Sequence, residues 1–311
     1  CFPSCIKVYS IRLAPILTAG VAAADGHAGV ALSGSANAGL FYDANAADEI
    51  TIKNEVNMVI TGSGATDSGL EFGAFIDIDE DSVDDAEVFI SGLFGTITVG
   101  DIDPATDGFG IADVGFDGIG ADDAAEQFKN ATAGADILYS YSASGLTFTA
   151  SAEIGANESY GVALEYAAGA FSAGIGYIED TDGAGFDTDD DGTDDVTVGS
   201  NSTVTVAAGF SQGAFSANAI YSDWSVGGEG YGVDASFTTG AVTITAVYSD
   251  ASGVSAGGPI GDSYGLGFKM PLGGGLSVAG GIGSIREDQT VGSTGATASR
   301  TVADLGLTMS F

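Results

Sequence analysis

Basic residues, cysteine, histidine and proline are all scarce in this chain of 311 residues, and no long apolar run interrupts it. Lysine and arginine number 7 against 43 aspartates and glutamates, a formal net charge of −36. A surface of that sign repels phosphate, which excludes nucleic acid and anionic membrane surfaces as partners. The two cysteines, Cys1 and Cys5, both sit in the first few residues, so the rest of the chain has no thiol for a disulfide framework. His27 is the single histidine. Triads built on histidine and Cys/His metal clusters are therefore excluded, and neither a Walker motif nor a dinucleotide fingerprint is present, so no enzymatic function is expected. The absence of any stretch of about 18 apolar residues excludes a transmembrane helix.

What the chain does have is glycine, 50 residues of it, with 17 Phe, 11 Tyr and a hydrophobic content of 45%. That apolar share is too high for a disordered acidic chain. Residues 1–24 carry Lys7 and Arg12, an apolar stretch from Leu13, and Ala22-Ala23-Ala24 before Asp25, the pattern of a secretory signal with an Ala-x-Ala site. The folded unit is expected over residues 25–311.

Within that unit, apolar and small polar residues alternate with period two, the spacing of a strand whose faces meet different solvents. Ile50, Ile52, Val56, Met58 and Ile60 share one face, with Thr51, Lys53, Glu55 and Asn57 on the other. Tyr231, Val233, Ala235 and Phe237 alternate with Gly232, Asp234 and Ser236 in the same way. Seven short turns divide the strands into pairs: Ser63–Gly69, Ser91–Gly95, Ser142–Gly145, Ala167–Ala170, Ser211–Ala214, Thr238–Ala241 and Pro271–Gly275. The eight intervening connections are mostly longer and acidic, around Asp43–Asp48, Glu80–Asp84, Asp101–Gly134, Ala156–Asn157, Asp180–Gly199, Asp223–Gly228, Asp250–Gly261 and Arg286–Thr297.

Short and long connections in alternation predict an all-β fold, a 16-stranded antiparallel up-and-down transmembrane β-barrel. A barrel of that size encloses a channel too wide for side chains to fill. The polar face must then line water and the apolar face meet lipid. Aromatics near the segment ends, among them Tyr42, Phe94, Tyr139, Phe171, Tyr177, Phe215, Tyr221, Tyr248 and Tyr264, suit the girdles of such a barrel. Phe311 stands on the apolar face of the last strand with Met309, Leu307 and Leu305.

Several segments resemble a known family. Thr66-Asp67-Ser68-Gly69-Leu70-Glu71-Phe72-Gly73-Ala74, Val88-Phe89-Ile90-Ser91-Gly92-Leu93-Phe94-Gly95, Leu32-Ser33-Gly34 and Val302-Ala303-Asp304-Leu305-Gly306 are similar to the general porins of Rhodobacter and related alphaproteobacteria, within a likeness that spans residues 28–311. The resemblance implies a trimeric barrel in the outer membrane of a Gram-negative cell, in contact with lipid and lipopolysaccharide. It further implies passive diffusion of small hydrophilic solutes, a third loop folded into the lumen, and calcium bound near the constriction.

The longest connection, Asp101–Gly134, stands in the position of that third loop. It carries Asp101, Asp103, Asp107, Asp113, Asp117, Asp122, Asp123 and Glu126, with Phe109, Ile111, Phe116 and Ile119 to pack it. Carboxylates at this density repel one another and are costly to desolvate, so calcium or facing arginines are expected to offset them. In the family a basic wall faces this loop. Here the basic residues of lumenal parity are Lys53, Lys269 and Arg300, with Lys129 at the end of the loop, a departure that predicts cation preference or calcium in place of arginine. A second acidic run supplies oxygen donors at Asp187, Asp189, Asp191, Thr193 and Asp195 around Gly192, the first half of a calcium loop without its bidentate Glu. A solvated acidic loop is the alternative reading of that run. Two alternatives to a general diffusion pore are a solute-specific channel of the same fold and a secreted, calcium-stabilised acidic β-protein such as an adhesin or β-roll. The latter class shows G-G-x-G-x-D repeats, which are missing here.

Overall fold

The computed structural model describes residues 28–79, 82–130, 132–155, 158–186, 196–289 and 291–311. The signal-like segment, His27 and the acidic run Asp187–Asp195 lie outside the described residues.

The strands follow in the order β1 (Gly29–Asp43), β2 (Ile50–Ala65), β3 (Glu71–Asp79), β4 (Ser82–Gly92), β5 (Gly95–Ile102), β6 (Ala135–Ala143), β7 (Leu146–Glu153), β8 (Ser159–Ala168) and β9 (Phe171–Asp180). After them come β10 (Ala184–Phe186), β11 (Val196–Val198), β12 (Asn201–Gln212), β13 (Phe215–Trp224), β14 (Gly228–Thr239), β15 (Val242–Gly253), β16 (Gly261–Gly273), β17 (Leu276–Arg286) and β18 (Ser299–Ser310). A single helical turn, α1 (Asp123–Glu126), lies between β5 and β6.

Each strand of the barrel pairs antiparallel with its neighbours in sequence, β9 pairs directly with β12, and β18 closes on β1. Sixteen strands thus form one closed barrel, with β10 and β11 as a separate two-stranded sheet. Closure leaves no strand edge unpaired, the condition for backbone to cross a bilayer without orphan amides.

The seven short turns fall where the sequence places them. Ser144 (φ 54°) and Gly145 (φ 82°) form the two-residue turn between β6 and β7. Positive φ at both central positions matches the right-handed twist of the flanking strands. The first turn is tighter than its sequence span, because β2 continues to Ala65 and Thr66 then closes on Leu70. The connection expected at Glu80–Asp84 also shortens, since β3 runs to Asp79 and β4 takes up Asp84.

Cross-strand register carries one parity around the whole ring. Gly39 of β1 pairs with Lys53 of β2 and with Gly306 of β18, and all three face the lumen. The other parity faces out and is apolar: Val30 is 73% exposed and Ile52 79%. Apolar side chains this open to their surroundings require an apolar solvent, so the wall is a membrane wall.

The lumen, however, is not lined by polar side chains throughout. The long connection between β5 and β6 folds inward and brings a hydrophobic core with it. Phe109, Ile111, Val114 and Ile119 of the connection pack with Ala163, Ile220, Val247, Ile285 and Val302 of the wall. Ala124 and Phe128 form a second cluster with Trp224, Ala251 and Ile260. The apolar filling of this barrel is therefore a loop laid against one side of the channel.

Candidate functional site

Loop residues 103–130 sit in a bed of lumenal glycines. A Cβ added at Gly232 would lie 2.5 Å from Ile111 Cδ1 and 2.7 Å from Ala125 Cβ. At Gly306 it would meet the Phe116 ring at 2.6 Å, and at Gly267 the Val114 side chain at 2.6 Å. Glycine is needed here because a foreign backbone approaches the sheet closely.

Among the described residues, backbone amides and a lysine offset several of the loop carboxylates. Lys129 Nζ lies 2.8 Å from Glu126 Oε2 and 3.4 Å from Asp107 Oδ1, and donates to the Asp107 carbonyl at 3.0 Å. The lysine and both acids are buried. Burial pushes the Lys129 ammonium down, but Glu126 and Asp107 prevail and raise it. Glu126 Oε1 also accepts the Ile111 N–H at 2.8 Å. Asp113 folds its own segment around itself, accepting N–H groups from Val114 at 2.8 Å and Ile119 at 3.2 Å.

Two wall aspartates hold the loop in the same manner. Asp304 of β18 accepts the N–H groups of Phe116 at 2.8 Å and Asp117 at 3.3 Å, together with Gly281 of β17 at 2.6 Å. Asp234 of β14 accepts the Ala112 N–H and the Asn218 amide, both at 2.9 Å. Such charge-assisted bonds are stronger than neutral ones and anchor an irregular segment that has no ladder of its own.

The sequence-predicted site residues consequently divide into groups. Asp107, Asp113 and Glu126 belong to the internal framework of the loop. Asp117 faces the channel, where it pairs with Lys53 of β2 at 3.0 Å and accepts from Asn37 of β1 at 2.8 Å. Lys53 Nζ also sits 4.2 Å from the centre of the Phe41 ring. Arg300 pairs with Asp43 at 2.9 Å, beside the first long connection. Lys269 is exposed to the lumen near Phe116 and has no ion-pair partner among the described residues.

Asp101 and Asp103 line a separate cavity of about 280 Å³ at the base of the loop, shared with Asp85, Glu87, Asp136 and Glu153. Enclosure within the lumen, then the charges of Asp107 and Asp85, raise the Asp103 carboxyl to about 6. Asp122 and Asp123 flank the start of α1, partly buried. Enclosure, followed by Asp113, Asp288 and Glu126, raises Asp123 to about 7, with Arg300 acting the other way. Asp122 is raised well above the ordinary range by enclosure and by Asp113, Asp123 and Glu126.

No group of three or more His, Cys, Asp or Glu residues is arranged to hold a metal ion among the described residues.

Three features of this site had weak signals in the sequence. Asp304 reads as one polar residue on a terminal strand, Gly232 as one small residue among many, and Arg286 as a loop boundary. Arg286 instead joins β17 to β16 through Asp262 at 2.7 Å. A lumenal-parity aspartate in a glycine-rich strand is the trace that points to a loop clasp.

Comparison with known proteins agrees with this architecture. The sequence profile described as "Gram-negative porin" matches residues 13–303. A porin of Rhodobacter capsulatus is 32% identical over 169 residues, covering 48% of this chain and 55% of the relative. The alignment thus spans about half the length of that curated relative. A porin structure refined at 1.8 Å superposes with a TM-score of 0.69 at 26% identity, covering 91% of this chain and 100% of that one. A triple mutant of Rhodopseudomonas blastica porin shares the fold, with a TM-score of 0.68 at 22% identity and the same coverage. Porins of this fold are channel proteins rather than enzymes. A closed barrel with an apolar exterior, a loop clasped inside it and a family match over nearly its whole length place the chain in the Gram-negative porin family of the outer membrane.

Proposed function

We propose that the protein is a water-filled diffusion channel for small hydrophilic solutes and ions, preferring cations. The observation that carries this reading is the state of its positive charge. Of the basic residues in the described strands and loops, Lys53, Lys129, Arg286 and Arg300 are each neutralised by a carboxylate, and Lys269 remains. The wall opposite the loop core adds Glu55 on β2, Asp77 and Asp79 on β3 and Glu87 on β4, all of lumenal parity. A channel lined this way concentrates cations and repels anions, an effect that weakens as salt shortens the screening length to about 3 Å at 1 M. Reversal potentials across a KCl gradient in a planar bilayer test it. Potassium preference at low salt that fades at high salt is expected, and chloride preference rules the reading out.

The working unit in this reading is a homotrimer. The described tyrosines stand on β6–β9 and β13–β16, with Tyr42 of β1 as the exception. Tyrosines are girdle residues, with a ring in the acyl region and a hydroxyl at the headgroups. Their scarcity along β1–β5, β17 and β18 supports contact there with further copies of the chain. On the lipid-facing side, Tyr177 bonds Glu179 at 3.3 Å, Tyr221 bonds Glu229 at 3.2 Å and Tyr231 bonds Asp250 at 3.1 Å. This polar rim supports contact with lipid headgroups and lipopolysaccharide. Chemical cross-linking in mild detergent should stop at three chains; a monomer under those conditions defeats the trimer. Calcium is assigned in this reading to Asp187, Asp189, Asp191, Thr193 and Asp195. Calorimetric titration of chelator-treated protein should give binding at about 10⁻⁴ to 10⁻³ M, and no heat in that range removes the ion.

A further inference from the structure

The two long connections that follow β15 and β17 are fastened to each other as one plate. Ser255 N–H donates to the Ser293 carbonyl at 2.9 Å, Gly292 N–H to Ser255 at 2.9 Å and Thr297 N–H to Ile260 at 3.1 Å. Bridges between Val254 and Thr294 and between Pro259 and Asp288 join the same two segments. Ile260 and Val291 of the plate pack with Ala124 and Phe128, so plate and inward-folded loop share a core.

One turn of the plate takes its hydrogen-bond partners from a side chain of that loop. Gln127 Oε1 accepts the N–H groups of Ala256 at 3.1 Å and Gly258 at 3.3 Å, while its Nε2 donates to the Pro259 carbonyl at 2.6 Å. Ser255 and Pro259 of this turn are fully buried. A backbone group enclosed there without a partner costs free energy. The amide accepts from N–H and donates to C=O at once; a carboxylate lacks the donor and an ammonium the acceptor. The stem lies against Gly258, where an added Cβ would come within 2.9 Å of Gln127 Cβ.

Gln127 also adjoins the ion cluster of the loop. Glu126, the preceding residue, accepts the Ile111 N–H at 2.8 Å and pairs with Lys129 at 2.8 Å. Two consecutive side chains thus connect the plate to the segment around Ile111. Phe128 and Ala124 hold the same turn by apolar contact, which is non-directional. The three amide bonds fix its register.

We infer that Gln127 is a positioning residue of the channel, through which the plate holds the inward-folded loop in place. Loosening the plate then alters the pore by way of this amide.

The inference rests on the diffusion-channel reading, and the test separates the two. Single-channel currents are recorded in a planar bilayer for the parental protein, Gln127→Ala, Gly292→Val and the double variant. Gly292 is exposed and has φ 81°, which valine adopts only with strain, so this substitution loosens the plate from its other connection. Time spent above the main conductance level should rise at least about five-fold in Gln127→Ala, the weight of one net hydrogen bond. Gly292→Val should raise it in the parental background and add nothing in the double variant, the non-additivity of residues in one network. Heat-modifiable migration on a denaturing gel identifies folded variants. Should Gln127→Ala fail to fold, Gln127→Glu, which keeps the acceptor and loses the donor, takes its place; failure of both shows a folding role and overturns the positioning one. A folded Gln127 variant with parental currents overturns the inference while the channel stands. So does an effect of Gly292→Val that is equal in both backgrounds or missing from the parental one. Absence of any current from the parental protein overturns the channel reading, and the positioning role with it.

Discussion

Across the lumen from one another, two walls built from the same repeating strand present opposite chemistry. β14 offers Gly228, Gly230 and Gly232 to the loop, and β15–β18 add Val247, Gly265, Gly267, Gly281 and Val302. β3 and β4 offer Asp77, Asp79 and Glu87, and neither hydrophobic cluster includes a residue of β2–β4. One wall is a dry seat for a folded segment; the other presents carboxylates and takes no part in the two hydrophobic clusters. The difference shows that a barrel of this size is narrowed by a loop given its own core on one side, and that small residues on the seat matter as much as large ones on the loop.

The largest test of this asymmetry is Lys129→Met. It leaves Glu126 and Asp107 buried without their cation, which typically costs about 3–5 kcal/mol. A lower denaturant midpoint and a rise in single-channel conductance, as the loop leaves its seat, are expected. Unchanged conductance and midpoint would show that this ion cluster does not hold the loop. Next comes Gly232→Val, which drives a side chain into Ile111 and Ala125. Overpacking of this kind costs about 1–3 kcal/mol, and conductance should again rise. Gly108→Ala is the matching control, since a Cβ there meets nothing within 4 Å; equal effects of the two would dissolve the distinction between seat and open space.

Acidity probes the charge on the loop. Asp123 and Asp103 are raised to about 7 and 6, above ordinary carboxylates. A carboxyl raised in the docked loop favours docking at low pH, and that contribution is lost as pH rises through the raised value. Channel noise should therefore be lower at pH 5 than at pH 8, and cation preference should weaken as the acids become neutral. Recordings at both values against one salt gradient check this, and Asp123→Asn should flatten the change. The smallest effect belongs to Lys53→Gln on the open side. Its pair with Asp117 is partly exposed, and such pairs contribute about 0.2–1 kcal/mol. The denaturant midpoint should barely move, while cation preference rises slightly as a lumenal positive charge is removed. A large loss of stability would show that the acidic wall also carries load.

Much of this arrangement is legible in residue order. Tyr231, Val233 and Phe237 alternate with Gly232, Asp234 and Ser236, and that alternation alone assigns each to lipid or lumen. The position and acidity of the loop are legible too, because Asp101–Gly134 is the longest connection. The partner of each acid is not. Asp304 accepts from Phe116, 188 residues away in sequence, and no spacing rule reaches that far. Asp113 and Asp117 look alike in the chain, yet one folds its own turn and the other pairs with Lys53 of the wall.

The sequence by itself determined the sheet: period-two alternation and seven turns are local, so strand number, register parity and the lipid-facing side follow from neighbouring residues. Tertiary structure alone decided which carboxylates bind the loop in place and which remain in the channel. The physical reason is that desolvation and hydrogen bonding depend on what lies nearby in space, and closure of the barrel brings β18 and β1 against a loop that leaves from β5.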